Sequence, residues 1–137
     1  MTLNTEYLKR CIETLQKSYL LIKTVEENTI DYEMYRNSLV KSFEMTLEQA
    51  GKLLKKRITP YFATKKEVDA LTFKDLFRYA AKFSLINEDE LLRWFNYRDN
   101  RNNTAHDYGE VFAKETLKLI DNFISDTYKL KDIIENE

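Results

Sequence analysis

A single helical stripe limits what this chain can become. From Met34 or Tyr35 to Ile58, apolar side chains recur every three or four residues, at Leu39, Phe43, Leu47, Ala50 and Leu54. A period near 3.6 held that long specifies an amphipathic α-helix, because the two faces of a strand alternate every second residue. Thr29 or Asp31 can cap its start, and Lys55, Lys56 and Arg57 put cations in its last turn, where the helix dipole favours them. Pro60 then stops it, having no N–H to donate and disfavouring helical geometry in the residue before it.

The same spacing recurs on both sides. From about Thr5 to Val25 it runs through Leu8, Cys11, Ile12, Leu15, Tyr19 and Ile22, which predicts a first helix. The segment from Tyr61 to Leu71 has no persistent period and reads as a connector with a short helical turn. Thr72 with Asp75 approximates a capping box ahead of a short helix through Phe73, Leu76, Phe77, Ala80 and Phe83. Asn87 opens another helix, with Glu88, Asp89 and Glu90 in its first turn and Leu91, Leu92, Trp94 and Phe95 as its apolar positions. After Gly109, the residues Phe112, Ala113, Leu117, Ile120, Phe123, Ile124, Thr127 and Ile134 trace a last long helix that is expected to fray into Glu135, Asn136 and Glu137. Two glycines and one proline among 137 residues are too few for the turns of a β-sandwich or barrel. The expected fold is all-α: one domain spanning residues 1–137, an up-and-down antiparallel bundle of four main helices, five with a minor one.

Several function classes fall away at this point. A net charge of -1 argues against non-specific coating of nucleic acid, although a local basic patch remains open. Cys11 is the only cysteine and His106 the only histidine, so neither an intramolecular disulfide nor a structural zinc site can be built from them. The acidic runs at Glu26-Glu27 and Glu88-Asp89-Glu90 lack His or Cys companions at ligand spacing, and no metal is expected. No Gly-rich phosphate loop is present, so the chain by itself is expected to bind no nucleotide cofactor. No run approaches the ~18 to 20 apolar residues of a membrane span, and a cytoplasmic protein is expected. Trp94, Phe95, Phe43 and Phe123 sit at helical spacing and read as core, while Lys55-Lys56-Arg57 and Lys65-Lys66 read as solvated faces and dipole complements, with contact to RNA backbone as the lesser alternative.

The segment Arg98-Asp99-Asn100-Arg101-Asn102-Asn103-Thr104-Ala105-His106-Asp107-Tyr108 breaks the apolar rhythm. Two guanidinium groups, an imidazole and a phenol in so short a stretch suit a phosphate-bearing ligand. On an ideal helix Arg98, Asn102 and His106 share a face, whereas Arg101 and His106 lie about 140° apart. Arg101 and His106 can act on one phosphate if the helix ends or bends near Asn102-Asn103-Thr104, or if they meet across a dimer interface. The chemistry these groups suit is RNA cleavage without a metal: a 2′-hydroxyl attacks the adjacent phosphodiester, the imidazole moves the proton and the guanidinium stabilises charge on the non-bridging oxygens. That reaction wants both an acid and a base. With one histidine per chain, a two-fold homodimer bringing two copies of His106 together would supply both.

Arg101 and Asn102, followed after an intervening stretch by His106, resemble the signature of the HEPN superfamily, whose all-helical dimers include ribonuclease toxins. The likeness extends to Trp94-Phe95 before the motif, to Thr104-Ala105-His106-Asp107-Tyr108 at its end, and to Arg36-Asn37-Ser38-Leu39-Val40-Lys41-Ser42-Phe43-Glu44 on the long helix. These look like the nucleotidyltransferase substrate-binding branch, encoded beside a minimal nucleotidyltransferase. One departure is Gly51, where the resemblance leads us to expect a bulky aromatic. The resemblance implies an RNase toxin with Arg101 and His106 catalytic; from the residues themselves, Asn102 is expected to fix the substrate or orient that pair, and Arg98 to support them or bind RNA. The resemblance also implies an antitoxin partner, a nucleotidyltransferase that transfers AMP from ATP to Tyr108. An adenylyl group there would add bulk and negative charge beside Arg101 and His106, competing with RNA phosphate. The reading from a different class is a non-catalytic subunit that binds substrate for a separately encoded nucleotidyltransferase, and a dimerisation bundle without a ligand is a third.

Overall fold

The long stripe folds as expected. In the structure, a computed structural model, residues 3–103 and 110–136 are described, with the backbone alone described for 102–103 and 110–113. His106 and Tyr108 lie outside the described residues. Helix α1 spans Glu6–Ile22, α2 Ile30–Ile58, α3 Lys65–Asp69, α4 Phe73–Lys82, α5 Glu88–Asn103 and α6 Glu110–Glu135, with a 3-10 turn at Thr59–Tyr61 between α2 and α3. No strand occurs among the described residues. The five anticipated helices are present, and the connector holds a sixth, five residues long.

Local chemistry explains the boundaries. The Thr29 hydroxyl accepts from the Tyr32 N–H at 3.1 Å and starts α2, and Pro60 sits in the tight turn that ends it. Thr72 and Asp75 form a complete capping box on α4, each side chain accepting from the other residue's backbone N–H at 3.1 Å. Asn87 and Glu90 build the same reciprocal device at the start of α5, with bonds of 2.8 and 3.2 Å. The last helix holds its form through Glu135 instead of fraying there. Three hydrogen bonds hold this end: the Thr5 hydroxyl donates to the Glu135 carboxylate, and the Arg57 guanidinium donates to the carbonyls of Ile133 and Asn136 at 3.3 and 3.2 Å. Arg57 therefore serves the C-terminal end of α6 as well as that of its own helix.

Helices α1, α2, α5 and α6 alternate in direction as the four main helices of the bundle. Ser18 meets Ser38 across α1 and α2 at 2.7 Å, and Tyr19 and Gln16 of α1 bond Asp121 and Tyr128 of α6. The minor helix α4 runs back along α5, with Lys74 paired to Asp99 and the Phe77 ring stacked on Trp94 at 4.7 Å. The core is contiguous through Leu8, Leu39, Phe43, Phe77, Trp94 and Phe123. On α2 the half-buried Tyr35 holds the stripe, while its alternative Met34 is exposed. Leu92 departs from expectation: it is exposed, on the side of α5 turned away from Trp94 and Tyr97. Phe95, expected in the core, is half-buried, with Lys74 and Arg78 over its ring.

Candidate functional site

The polar stretch begins inside α5, and the helix continues unbroken from Arg98 to Asn103. Its side chains go to separate destinations, which is how a segment so poor in apolar residues remains helical. Asn100 turns into the bundle, where its Nδ2 donates to the Thr116 hydroxyl of α6 at 3.1 Å, and both residues are buried. Asp99 turns to α4 and accepts an ion pair from Lys74 at 2.7 Å. The Arg98 guanidinium lies over the Phe73 ring, 4.9 Å from its centroid. These contacts fasten the end of α5 to both neighbouring helices.

Arg101 lies one turn beyond Arg98, is half-buried and interacts with its surroundings. The two guanidinium groups feel each other. Burial, and then the Arg101 cation, hold the Arg98 guanidinium below its ordinary value, with Glu48 of α2 opposing the shift. Two adjacent cations, one of them desolvated on an aromatic face, favour a ligand that brings negative charge. The structure thus brings Arg98 and Arg101 together. Asn102 follows on the α5 backbone, and His106 and Tyr108 fall outside the described residues.

Gly51, the departure noted in the sequence, has a structural counterpart. A Cβ at this position would lie 2.9 Å from Cε2 and 3.0 Å from Cδ2 of Phe73. The space an aromatic at position 51 would occupy is taken by a ring from α4, and that ring carries Arg98. The missing side chain on α2 is what allows Phe73 to sit between α2 and α5.

The sequence reading missed the polar anchor one turn further back. Arg93 grips Asp126 of α6 with two parallel hydrogen bonds, and the Tyr97 hydroxyl donates to the same carboxylate at 2.5 Å. Burial first, then the bond to Asp126, pushes the Tyr97 phenol well above its usual value, while the Asp126 contact raises the already high value of Arg93. A signal was available: Asp126 interrupts the stripe between Phe123 and Thr127, and Arg93 and Tyr97 stand one turn apart on α5. On α2, within the segment of extended likeness, the Arg36 Nε is buried with no hydrogen-bond partner among the described residues. No cluster of three or more His, Cys, Asp or Glu able to hold a metal occurs among the described residues, and no described helix is long and apolar enough to cross a membrane.

Comparison with known proteins places this geometry among relatives. The family model described as nucleotidyltransferase substrate binding protein like matches residues 3–136. A Haemophilus influenzae protein named probable ribonuclease HepT is 32% identical over 85 residues, 62% of this chain and 57% of that protein, so the match spans little more than half of the relative's length. Among solved structures, a Haemophilus influenzae protein described as having the fold of a substrate binding domain of a nucleotidyltransferase superposes with a TM-score of 0.80 at 23% identity, covering 96% of this chain and 98% of its own. A tri-AMPylated HEPN toxin from Shewanella oneidensis, solved in complex with its MNT antitoxin, superposes with a TM-score of 0.68 at 16% identity, covering 98% of this chain and all of that one (100%). At these identities the structural likenesses establish a shared fold.

Proposed function

The chain belongs to the nucleotidyltransferase substrate binding protein like family, and from that membership we propose that it is a HEPN-type ribonuclease toxin, a single domain over residues 1–137 that acts as a homodimer. Arg101 and His106 are its catalytic residues, with Asn102 and Arg98 in support. The observation that carries this reading is the placement of Arg98 and Arg101 one turn apart near the end of α5, with Arg101 five positions before the only histidine of the chain. The 32% identity to a probable ribonuclease supports it.

In the proposed reaction the 2′-oxygen forms a bond to phosphorus as the bond to the 5′-oxygen breaks, leaving a 2′,3′-cyclic phosphate and a free 5′-hydroxyl. One copy of His106 removes the 2′-hydroxyl proton and a second, protonated copy donates to the leaving 5′-oxygen. Arg101 stabilises the charge that builds on the non-bridging oxygens, where a charge-assisted donor in a partly desolvated site is most effective. The partner is a minimal nucleotidyltransferase antitoxin that silences the toxin by transferring AMP to Tyr108. The Shewanella complex supports that assignment by analogy of fold.

The deciding experiment incubates purified protein with total RNA or tRNA in EDTA, beside Arg101→Ala and His106→Ala. Cleavage by the wild type and its loss in both variants is expected, whereas intact RNA with wild type, or equal cleavage by the variants, overturns the reading. Mass spectrometry after co-expression with the nucleotidyltransferase tests the second claim: relief of toxicity with no added AMP on the Tyr108 peptide refutes it. The second reading, a non-catalytic substrate-binding subunit, is favoured by the family's description and by the Haemophilus structure. It predicts RNA left intact, together with nucleotidyltransferase activity that depends on this chain.

A further inference from the structure

The lysines of α2 do not disperse into solvent as a uniform polar face. Lys52, Lys55 and Lys56 line one side of a groove of about 500 Å³, and Lys65 at the start of α3 and Asp69 line the other. Arg57, from the same basic run, faces elsewhere and holds α6. The groove continues toward the N-terminal half of α2, because a second hollow that includes Lys41 and Glu48 shares Gln49 and Lys52 with it. Glu48 is in turn the α2 carboxylate that acts on Arg98. Gly51, next to Lys52 on α2, lies against the Phe73 ring that carries Arg98, so this arginine stands beside the helix that lines the groove.

Its charges are poorly neutralised. Lys56 and Lys65 form no ion pair among the described residues, and Lys52 meets Glu48 only at 3.7 Å with both side chains about two-thirds exposed. Lys55 pairs closely with Asp69 at 2.8 Å. Exposed pairs of this kind contribute little, so exchanging a carboxylate for a phosphate costs little.

We infer that this groove holds the backbone of the RNA strand flanking the scissile phosphate, with Lys52, Lys56 and Lys65 as sequence-independent phosphate contacts. The inference rests on the reading of RNA as substrate. Three features favour a nucleic-acid strand over an acidic protein surface. The groove is lined by the helix that packs against the ring carrying Arg98. Lys52 and Lys56 stand about 6 Å apart along the helix axis, comparable to neighbouring phosphates of an extended strand. Lysines supply mobile point charges, suited to backbone contacts that carry no base information. A local track of this kind is compatible with a chain whose net charge is -1.

The test measures binding and needs no cleavage. A 5′-labelled single-stranded RNA of mixed sequence is titrated with full-length His106→Ala, and with the same protein carrying Lys52→Gln, Lys56→Gln and Lys65→Gln, over a series of salt concentrations. All three lysines lie on the rim, and circular dichroism melts check that the fold is retained. Loss of three phosphate contacts is expected to weaken binding at least tenfold at low salt and to reduce the slope of log K against log salt by about 2. Unchanged affinity and slope overturn the inference. So does an unchanged RNA affinity accompanied by lost co-purification with the nucleotidyltransferase, which would make the groove a protein-docking face. If the wild type cleaves RNA and the lysine variant binds it normally, the groove falls and the nuclease reading stands; if the wild type binds through the lysines without cleaving, the nuclease reading falls and the groove stands.

Discussion

Arg93 of α5 and Asp126 of α6 are joined by two parallel hydrogen bonds, Nε to Oδ2 at 2.8 Å and the terminal nitrogen to Oδ1 at 2.9 Å, and the carboxylate is almost fully buried. With Tyr97 donating to the same group, this is the main polar clasp between the helix bearing the arginine pair and the helix that follows it. Removing the shared acceptor strands two donors at once. We expect Asp126→Ala to destabilise the protein by about 3 kcal/mol and Tyr97→Phe by about 1 kcal/mol. Thermal melts should show a drop on the order of 10 °C for the first. Equal melting temperatures for Asp126→Ala and wild type would refute the clasp.

The close fit of Gly51 beneath Phe73 sets two opposing effects against each other. Alanine in mid-helix gains about 1 kcal/mol of helix propensity over glycine, but the new methyl would sit 2.9 Å from a ring already packed against Phe77 and Arg98. Overpacking typically costs about 1–3 kcal/mol. Gly51→Ala should therefore be destabilising by about 1 kcal/mol net, and adding Phe73→Leu should recover part of the loss. Urea denaturation of the single and double variants measures this, and a stabilised Gly51→Ala would show that the ring yields freely.

Arg98 tests the difference between charge and shape. Arg98→Lys keeps the cation but loses the planar group that lies on Phe73. If RNA is the substrate, Arg98→Ala should lower kcat/KM about tenfold, equivalent to ~1.4 kcal/mol, with Arg98→Lys recovering only part of it, and Arg98→Ala should also lower the melting temperature by a few degrees as the contact on Phe73 is lost. Full rescue by lysine would reduce Arg98 to a simple source of charge.

Acid should act on the α4 cap. The backbone N–H of Thr72, then its side chain, hold the Asp75 carboxyl below its ordinary value. A carboxylate depressed in the folded state stabilises above its unfolded value of about 3.9, and that contribution disappears as pH falls through the lower, folded value. Asp75→Asn should accordingly be less stable than wild type at pH 7, with the two curves converging below pH 4. Asp69 and Glu135 are also lowered, by Lys55 and Lys131, so the variant retains an acid limb. A stability difference independent of pH would refute the charged cap.

Ser84 follows α4 with a φ of 63°, and the Leu85 N–H reaches the Ala80 carbonyl at 2.9 Å across this left-handed turn. Such backbone suits glycine, and the serine side chain is exposed. Ser84→Gly should stabilise by about 0.5–1 kcal/mol, read as a higher urea midpoint at constant m-value. A lowered midpoint would mean the serine side chain compensates its own strain.

The sequence by itself determined the helices and most of their ends, because helical periodicity and the caps at Thr29, Thr72 and Asn87 depend on residues no more than four apart. It also determined the motif, since the order Arg98, Arg101, Asn102, His106, Tyr108 is a property of the chain. What only the tertiary structure decided is where each polar side chain finds its counterpart. Asn100, conspicuous as part of a polar run, faces Thr116 in the interior, and Asp126, unnoticed within an apolar stripe, meets Arg93 and Tyr97. Gly51 looked like a defect until Phe73 arrived from α4, more than twenty residues along the chain, to fill the space. The same holds for the basic run of α2, divided between a clamp on α6 and an open groove. The physical reason is that helix formation is settled by local hydrogen bonds and one apolar face, whereas the partners of the other faces depend on which helices the bundle sets side by side.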